Sequence, residues 1–346
     1  MRRLLTLVVV VVALAAAGGA FVAYRLWAQV HEAYKGYEAQ EQFVQIPQGS
    51  GVPEITRRLL DARVIGEART FRAALWWSGK ARSLKAGEYR FDQPLSALEV
   101  IDRLERGEVY TRRITFPEGL TIREMAALYE SRDFGTAKDF VAAAADVAGI
   151  RDLDPDATDL EGYLFPETYA IARGMPAAQL VAAMVARFRA VFTEDLQRRT
   201  TEQGLTTREL VTLASLVETE TGKADERPLV AAVYRNRMKI GMPMQADPTV
   251  VYALEKAGKY DGNIRRTDLE FDSRYNTYRY PGLPPGPIAA PGRASLEAAA
   301  APADVKHLYF VSRNDGSHVF ADTLAQHNAN VYEHQVLYFR KQRQGK

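Results

Sequence analysis

Two carboxylates close an apolar stripe in the run Leu210-Val211-Thr212-Leu213-Ala214-Ser215-Leu216-Val217-Glu218-Thr219-Glu220-Thr221. Thr206 and Glu209 stand at capping-box spacing, which predicts a helix from there through Thr221, with Gly222 suited to its C-terminal cap. Leu210, Leu213, Ala214 and Val217 keep the i, i+3, i+4, i+7 pattern. At about 100° per residue, Glu218 falls near Val211 and Ala214, inside the apolar arc. An acid there needs a partner or a task. Burial would raise its pKa, which is what a general acid near neutral pH requires. The plainer alternative is a frayed helix end with both acids in water. Glu220 lies about 200° around from Glu218, so the two do not share one small cleft. The closely paired acid and nucleophile of a retaining glycosidase is therefore not expected from them. A second working carboxylate is better sought at Asp247, in the polar turn Met244-Gln245-Ala246-Asp247-Pro248. Its alternative task is to cap a helix over 249–256.

Other segments look like loops around a site. Tyr275-Asn276-Thr277-Tyr278-Arg279-Tyr280 mixes aromatics and amides, a composition suited to sugar rings and hydroxyls. Gly282-Leu283-Pro284-Pro285-Gly286-Pro287-Ile288 and Pro291-Gly292 fix an irregular backbone. His307–Ser312, an Asn314-Asp315-Gly316 turn and His318–Phe320 read as a hairpin. The 5 histidines show no metal-ligand spacing, and the 0 cysteines exclude disulfides, thiol nucleophiles and iron–sulfur clusters. No phosphate loop or Gly-x-Ser-x-Gly elbow occurs. No cofactor is expected. Lys and Arg number 45 against 43 Asp and Glu, so no concentrated basic charge suggests nucleic acid.

The elements that must position these residues form an α+β chain of 346 residues. Arg2 and Arg3 precede an uncharged run over 4–24, long enough for a transmembrane helix. The arginines keep residues 1–3 cytoplasmic and place the body outside. A cleaved signal peptide is the rival reading, given the small residues near Ala20. Residues 25–42 would be a stalk, amphipathic over 28–39. Phe43–Ile46 reads as a strand, then a Pro47-Gln48-Gly49 turn and a helix with Ile55, Leu59 and Leu60 inward. The register returns at Arg113–Phe116, Pro117-Glu118-Gly119 and Ile122–Leu128. Phe71 and Phe140 open comparable second helices. Leu84–Phe91 is echoed by Leu160–Phe165, with Arg106-Gly107-Glu108 near the seam. Two strand–helix–helix–strand units follow, at 43–109 and about 110–170. That build is the build of a LysM-type module. Trp76 and Trp77 could stack on sugars, although adjacent tryptophans on a helix more simply predict one buried and one half-buried.

Taken together, Leu213–Thr221, Glu226-Arg227, Asn236-Arg237, Gly241-Met242, Gln245–Val250, Asn276-Thr277-Tyr278, Gly282–Ile288, Tyr309–Val311, His318, Phe320, His327-Asn328 and the upstream Glu161–Tyr169 resemble the endolytic murein transglycosylases of the YceG-like family. The resemblance implies a single-pass inner-membrane enzyme with its catalytic region, core at about 200–346, in the periplasm or otherwise outside the cytoplasmic membrane. Its substrate would be nascent peptidoglycan glycan strands, cut internally between N-acetylmuramic acid and N-acetylglucosamine. The family's catalytic glutamate falls on Glu218, acting as acid and then base to leave a 1,6-anhydro end. Gln245, Asp247, Asn276 and Tyr278 are expected as cleft-lining residues, with Glu220 as a further substrate-binding candidate. A peptidoglycan synthase is the implied partner, and limiting strand length the implied role. A hydrolase using water with Asp247 as base, and a non-catalytic wall-binding scaffold, are the rival functions.

Overall fold

A computed structural model of the chain describes residues 2–344. The first helix, α1 (Arg2–His31), is long and apolar enough to cross a membrane over Val9–His31. It runs past the predicted end at Tyr24. The chain then leaves the helix, so no amphipathic helix reaches Ala39. Instead Val30 and Tyr37 are buried, and Tyr34 and Leu95 exchange backbone hydrogen bonds of 3.0 and 3.2 Å. The expected stalk is folded into the body that follows it, because its apolar residues find a core within reach.

That body contains β1 (Gln42–Ile46), α2 (Val52–Asp61), α3 (Ala68–Ser78), β2 (Gly87–Phe91) and α4 (Ala97–Arg106). β1 and β2 pair antiparallel, Val44 opposite Tyr89. Alternation puts Val44, Ile46, Tyr89 and Phe91 on the inner face, against Ile55, Leu59, Phe71, Leu75, Val100 and Leu104. Leu60, expected inward, is 37% exposed, since one helix face cannot turn three such positions to the core. Trp76 and Trp77 are both exposed, unlike the buried and half-buried pair expected.

β3 (Thr111–Thr115) pairs with β4 (Thr168–Ala172), and α5 (Ile122–Ser131) and α6 (Ala137–Ala144) lie between them in sequence. The closing strand is therefore β4. Leu160–Phe165, expected there, is a buried turn whose Tyr163 donates to Asp154 at 2.7 Å. The chain divides into two compact bodies. One holds the chain to Arg112 plus Ala170–Gly174; the other holds Arg113–Tyr169 and the chain from Met175.

The second body continues with α7 (Ala177–Val191), α8 (Glu194–Glu202), α9 (Thr207–Glu220), α10 (Arg227–Lys239), α11 (Asp247–Lys256), α12 (Arg293–Ala300), the β5 (Tyr309–Ser312) and β6 (His318–Ala321) hairpin, α13 (Leu324–Val331) and α14 (Tyr338–Gln344). Its centre is α9, buried at every position from Leu210 to Val217 and packed on α8, α10, α11 and α12. A helix apolar all round belongs inside a core. The polar residues at its C-terminal end are consequently held in place by what surrounds them.

Candidate functional site

The Thr206–Glu209 capping box forms as the spacing predicts: Thr206 Oγ1 accepts the Glu209 N–H at 3.2 Å, and Glu209 Oε2 accepts the Thr206 N–H at 2.8 Å. At the other end the cap is Thr221 in an extended conformation, not a left-handed Gly222. Thr221 Oγ1 donates to Glu226 Oε2 at 3.1 Å, which turns the chain into α10 and brings Arg227 back toward Glu218.

Glu218 is enclosed, with its side chain 6% exposed. Its Oε2 accepts the Gly292 N–H at 2.9 Å, and its Oε1 faces Arg227 Nη2 at 3.4 Å. The Arg227 Nε donates to Ser295 Oγ at 3.1 Å, so the guanidinium is fixed from α12. The same Nη2 lies 3.9 Å from Glu118 Oε2, whose side chain is 48% exposed. Burial, then the charge of Glu218, push the Glu118 carboxyl above its usual range, opposed by Arg227.

The backbone that presents these groups is closely tied. Gly119 N–H donates to Ala290 O at 2.9 Å, and Ala290 N–H donates to Leu120 O at 2.8 Å. Ile288 N–H donates to Ser215 Oγ at 3.1 Å, which seats the Pro-rich segment on α9. A Cβ on Gly292 would lie 1.8 Å from Glu118 Oε1, so any side chain there would push the Glu118 carboxylate from its place.

A second polar cluster collects other predicted residues. Glu220 accepts from Tyr234 Oη at 2.7 Å, and burial raises its pKa while that bond opposes the rise. Asp247 Oδ1 accepts from Tyr278 Oη at 2.6 Å. Burial and the Asp247 carboxylate raise Tyr278, which also feels Glu220 and Arg237. Asp247 does not cap α11: it is the first helical residue, and Ala246 precedes the helix without a side-chain cap. Gln245 is exposed and holds φ at 51°, a strained conformation for a residue with a side chain. Asn276 is the exception. It is 0% exposed, and its Nδ2 donates to Leu269 O at 3.0 Å and Phe271 O at 2.8 Å. Its amide braces the loop and lines no cleft, because an amide hydrogen-bonded on all sides is the economical way to bury an irregular turn.

The YceG-like family profile matches residues 44–333. The chain belongs to the YceG-like family. Among its relatives is an endolytic murein transglycosylase of Bacillus subtilis, 33% identical over 301 residues that cover 82% of each chain. Another protein of that name, from Streptococcus pneumoniae serotype 2, is 30% identical over 84% of this chain, which spans only 58% of the pneumococcal protein. The crystal structure of a YceG-like protein from Listeria monocytogenes superposes with a TM-score of 0.57 at 29% identity, covering 84% of this chain and 98% of that one.

Three residues around Glu218 carry no chemical expectation from the sequence. Arg227 and Gly292 were visible only as members of motifs, and Glu118 only as part of a turn. The signal for Glu118 was present: the first Pro-x-Gly turn has Gln48 where the second has an acid.

Proposed function

We propose that this chain is an endolytic lytic transglycosylase that cuts the bond between N-acetylmuramic acid and N-acetylglucosamine inside nascent peptidoglycan strands. The observation that carries the reading is the nearly enclosed Glu218 carboxyl, oriented by the Gly292 N–H and Arg227. In the proposed cycle, protonated Glu218 gives its proton to the glycosidic oxygen as the anomeric C–O bond breaks. The resulting carboxylate takes the proton of the muramyl C6 hydroxyl, whose oxygen bonds to the anomeric carbon. The products are a free 4-hydroxyl on one fragment and a 1,6-anhydro ring on the other, and Glu218 ends protonated again. No external water enters, so one acid suffices where hydrolysis uses two. Attack from within the same sugar also benefits from orientation already fixed before reaction.

Gln245, Asp247 and Tyr278 are proposed to hold sugar hydroxyls, and Glu220 to set that cluster through Tyr234. The unit at 43–109 is read as LysM-like in build, on its antiparallel β1–β2 pair with two helices between. Anchored by α1 with the body outside the cytoplasmic membrane, the enzyme would limit strand length beside a membrane synthase. The decisive experiment is mass analysis of uncrosslinked glycan strands digested by the protein and by Glu218→Gln. Anhydro-ended internal fragments, lost in the variant, are expected. Reducing ends one water heavier would replace this reading with hydrolysis, Glu118 or Asp247 then serving as base. Strands bound but uncut by both proteins would leave a scaffold.

A further inference from the structure

α1 carries markers of a membrane–water boundary near its end. Tyr24 and Trp27 are 63% and 44% exposed, and such rings collect at that boundary. Val30, three residues later, is already buried in one core with Phe71, Ala74 and Leu75 of α3. Three helical residues rise only about 4.5 Å. The first folded body therefore begins at the headgroup layer, with no spacer to lift it clear.

On that body, α3 exposes Trp76 at 86% and Trp77 at 60%. Residues 68–86 contain Arg69, Arg72, Lys80, Arg82 and Lys85, and no Asp, Glu, Asn or Gln. Lys80 is engaged by Asp102 and Glu105. Arg69, Arg72 and Arg82 are exposed, with no carboxylate partner among the described residues. Arg69, Arg72 and Trp76 keep i, i+3, i+7 spacing and share one helix face. A sugar site built on aromatics would need acids or amides for the hydroxyls, and this stretch has neither. Arginines around an amphipathic tryptophan pair fit an anionic surface instead.

We propose that this face of α3, with Arg69, Arg72, Trp76, Trp77 and Arg82, rests on anionic phospholipid headgroups beside the α1 anchor. The proposal rests on α1 spanning the membrane, and the experiment separates the two. The chain has 3 tryptophans, so in Trp27→Phe the emission excited selectively from tryptophan comes from Trp76 and Trp77 alone. The full-length Trp27→Phe protein is reconstituted into phosphatidylglycerol vesicles and floated. Expected are co-flotation, a blue-shifted emission, and quenching by lipids brominated near the headgroup. Adding Arg69→Glu, Arg72→Glu and Arg82→Glu, or replacing phosphatidylglycerol with phosphatidylcholine, should abolish the quenching while flotation persists. Flotation with emission quenched by aqueous iodide and not by brominated lipid would overturn the proposal and leave the anchor standing. Failure to float would overturn the anchor and the proposal together. Protection of the emission only when glycan strands are added would overturn it in favour of a sugar site.

Discussion

The turns Pro47-Gln48-Gly49 and Pro117-Glu118-Gly119 do the same structural work in different surroundings. Each follows a strand and precedes a 10-residue helix, Val52–Asp61 or Ile122–Ser131. Their glycines hold nearly the same left-handed φ, 79° and 82°. The helices also end alike: Val64 N–H bonds Leu59 O at 2.9 Å, and Phe134 N–H bonds Tyr129 O at 3.3 Å. What differs is the neighbourhood. A Cβ on Gly49 would meet nothing within 4 Å, whereas one on Gly119 would meet Glu218 Cγ at 4.0 Å. The middle residue is Gln48 in one turn and Glu118, beside Arg227, in the other. One local fold is thus used twice, and in the second copy the turn carries a carboxylate beside Glu218 and Arg227.

The largest effect should come from the residue that the second turn faces. Glu218→Gln removes the proposed proton donor while keeping shape and the Gly292 contact. Cleavage should fall by about 10²- to 10⁴-fold, with thermal unfolding little changed. Normal turnover in the variant would remove Glu218 from the chemistry and make the second turn as structural as the first.

The next effect concerns how the two copies begin their first helices. α2 starts at Gly51 without a side-chain cap, whereas α5 has a Thr121–Glu124 capping box and a further acceptor from far along the chain. Glu161 Oε1 takes the Ile122 N–H at 2.9 Å, and Tyr252 donates to Oε2 at 3.2 Å. Burial pushes the Glu161 carboxyl up to about 8. Its ordinary, unfolded value is 4.5, so between the two pH values the folded protein holds a proton that the unfolded chain has released. Stability from this group is fully present below the lower value and is lost as pH rises toward 8, by on the order of a few kcal/mol. Glu161→Gln should flatten the fall in melting temperature between pH 5 and 8.5. An unchanged slope in the variant would assign the pH dependence to other groups.

A sharper test exchanges the middle residues. Glu118→Gln should lower turnover on the order of 10-fold, the scale of one charge at a partly exposed site. Gln48→Glu should change neither rate nor stability. Gly292→Ala would displace the Glu118 carboxylate without deleting it, and should add little to the loss already caused by Glu118→Gln. Independent, additive losses in the double variant would show that Gly292 matters for another reason, its N–H to Glu218 being the first to examine.

How far the sequence reaches follows the range of the interactions. α9, its N-terminal box and the placement of Glu218 in the apolar arc are local, and periodicity reads them directly. Both strand–turn–helix starts are local too. The pairing of Glu218 with Arg227 and Gly292 needs α10 and α12 packed on α9, which no spacing along the chain encodes. The misreading of Leu160–Phe165 has the same origin. Its likeness to Leu84–Phe91 points to a closing strand, but a buried turn uses the same residue types, and the strand forms at Thr168–Ala172. Asn276 shows the converse: an amide amid aromatics suits a sugar or a buried loop, and only its partners decide.

The smallest effect tests whether the shared turn geometry is a matter of folding alone. Alanine at Gly49 or Gly119 must adopt a left-handed φ, which costs roughly 1–2 kcal/mol at either position. The two losses in stability should therefore match. At Gly119 the added methyl would reach Glu218 Cγ at 4.0 Å, an ordinary contact that displaces nothing, so cleavage should persist in both variants. Equal melting shifts with activity lost only in Gly119→Ala would mean that the turn's backbone, and not just the Glu118 carboxylate, positions Glu218. The difference between the copies would then extend from one side chain to the path of the chain itself.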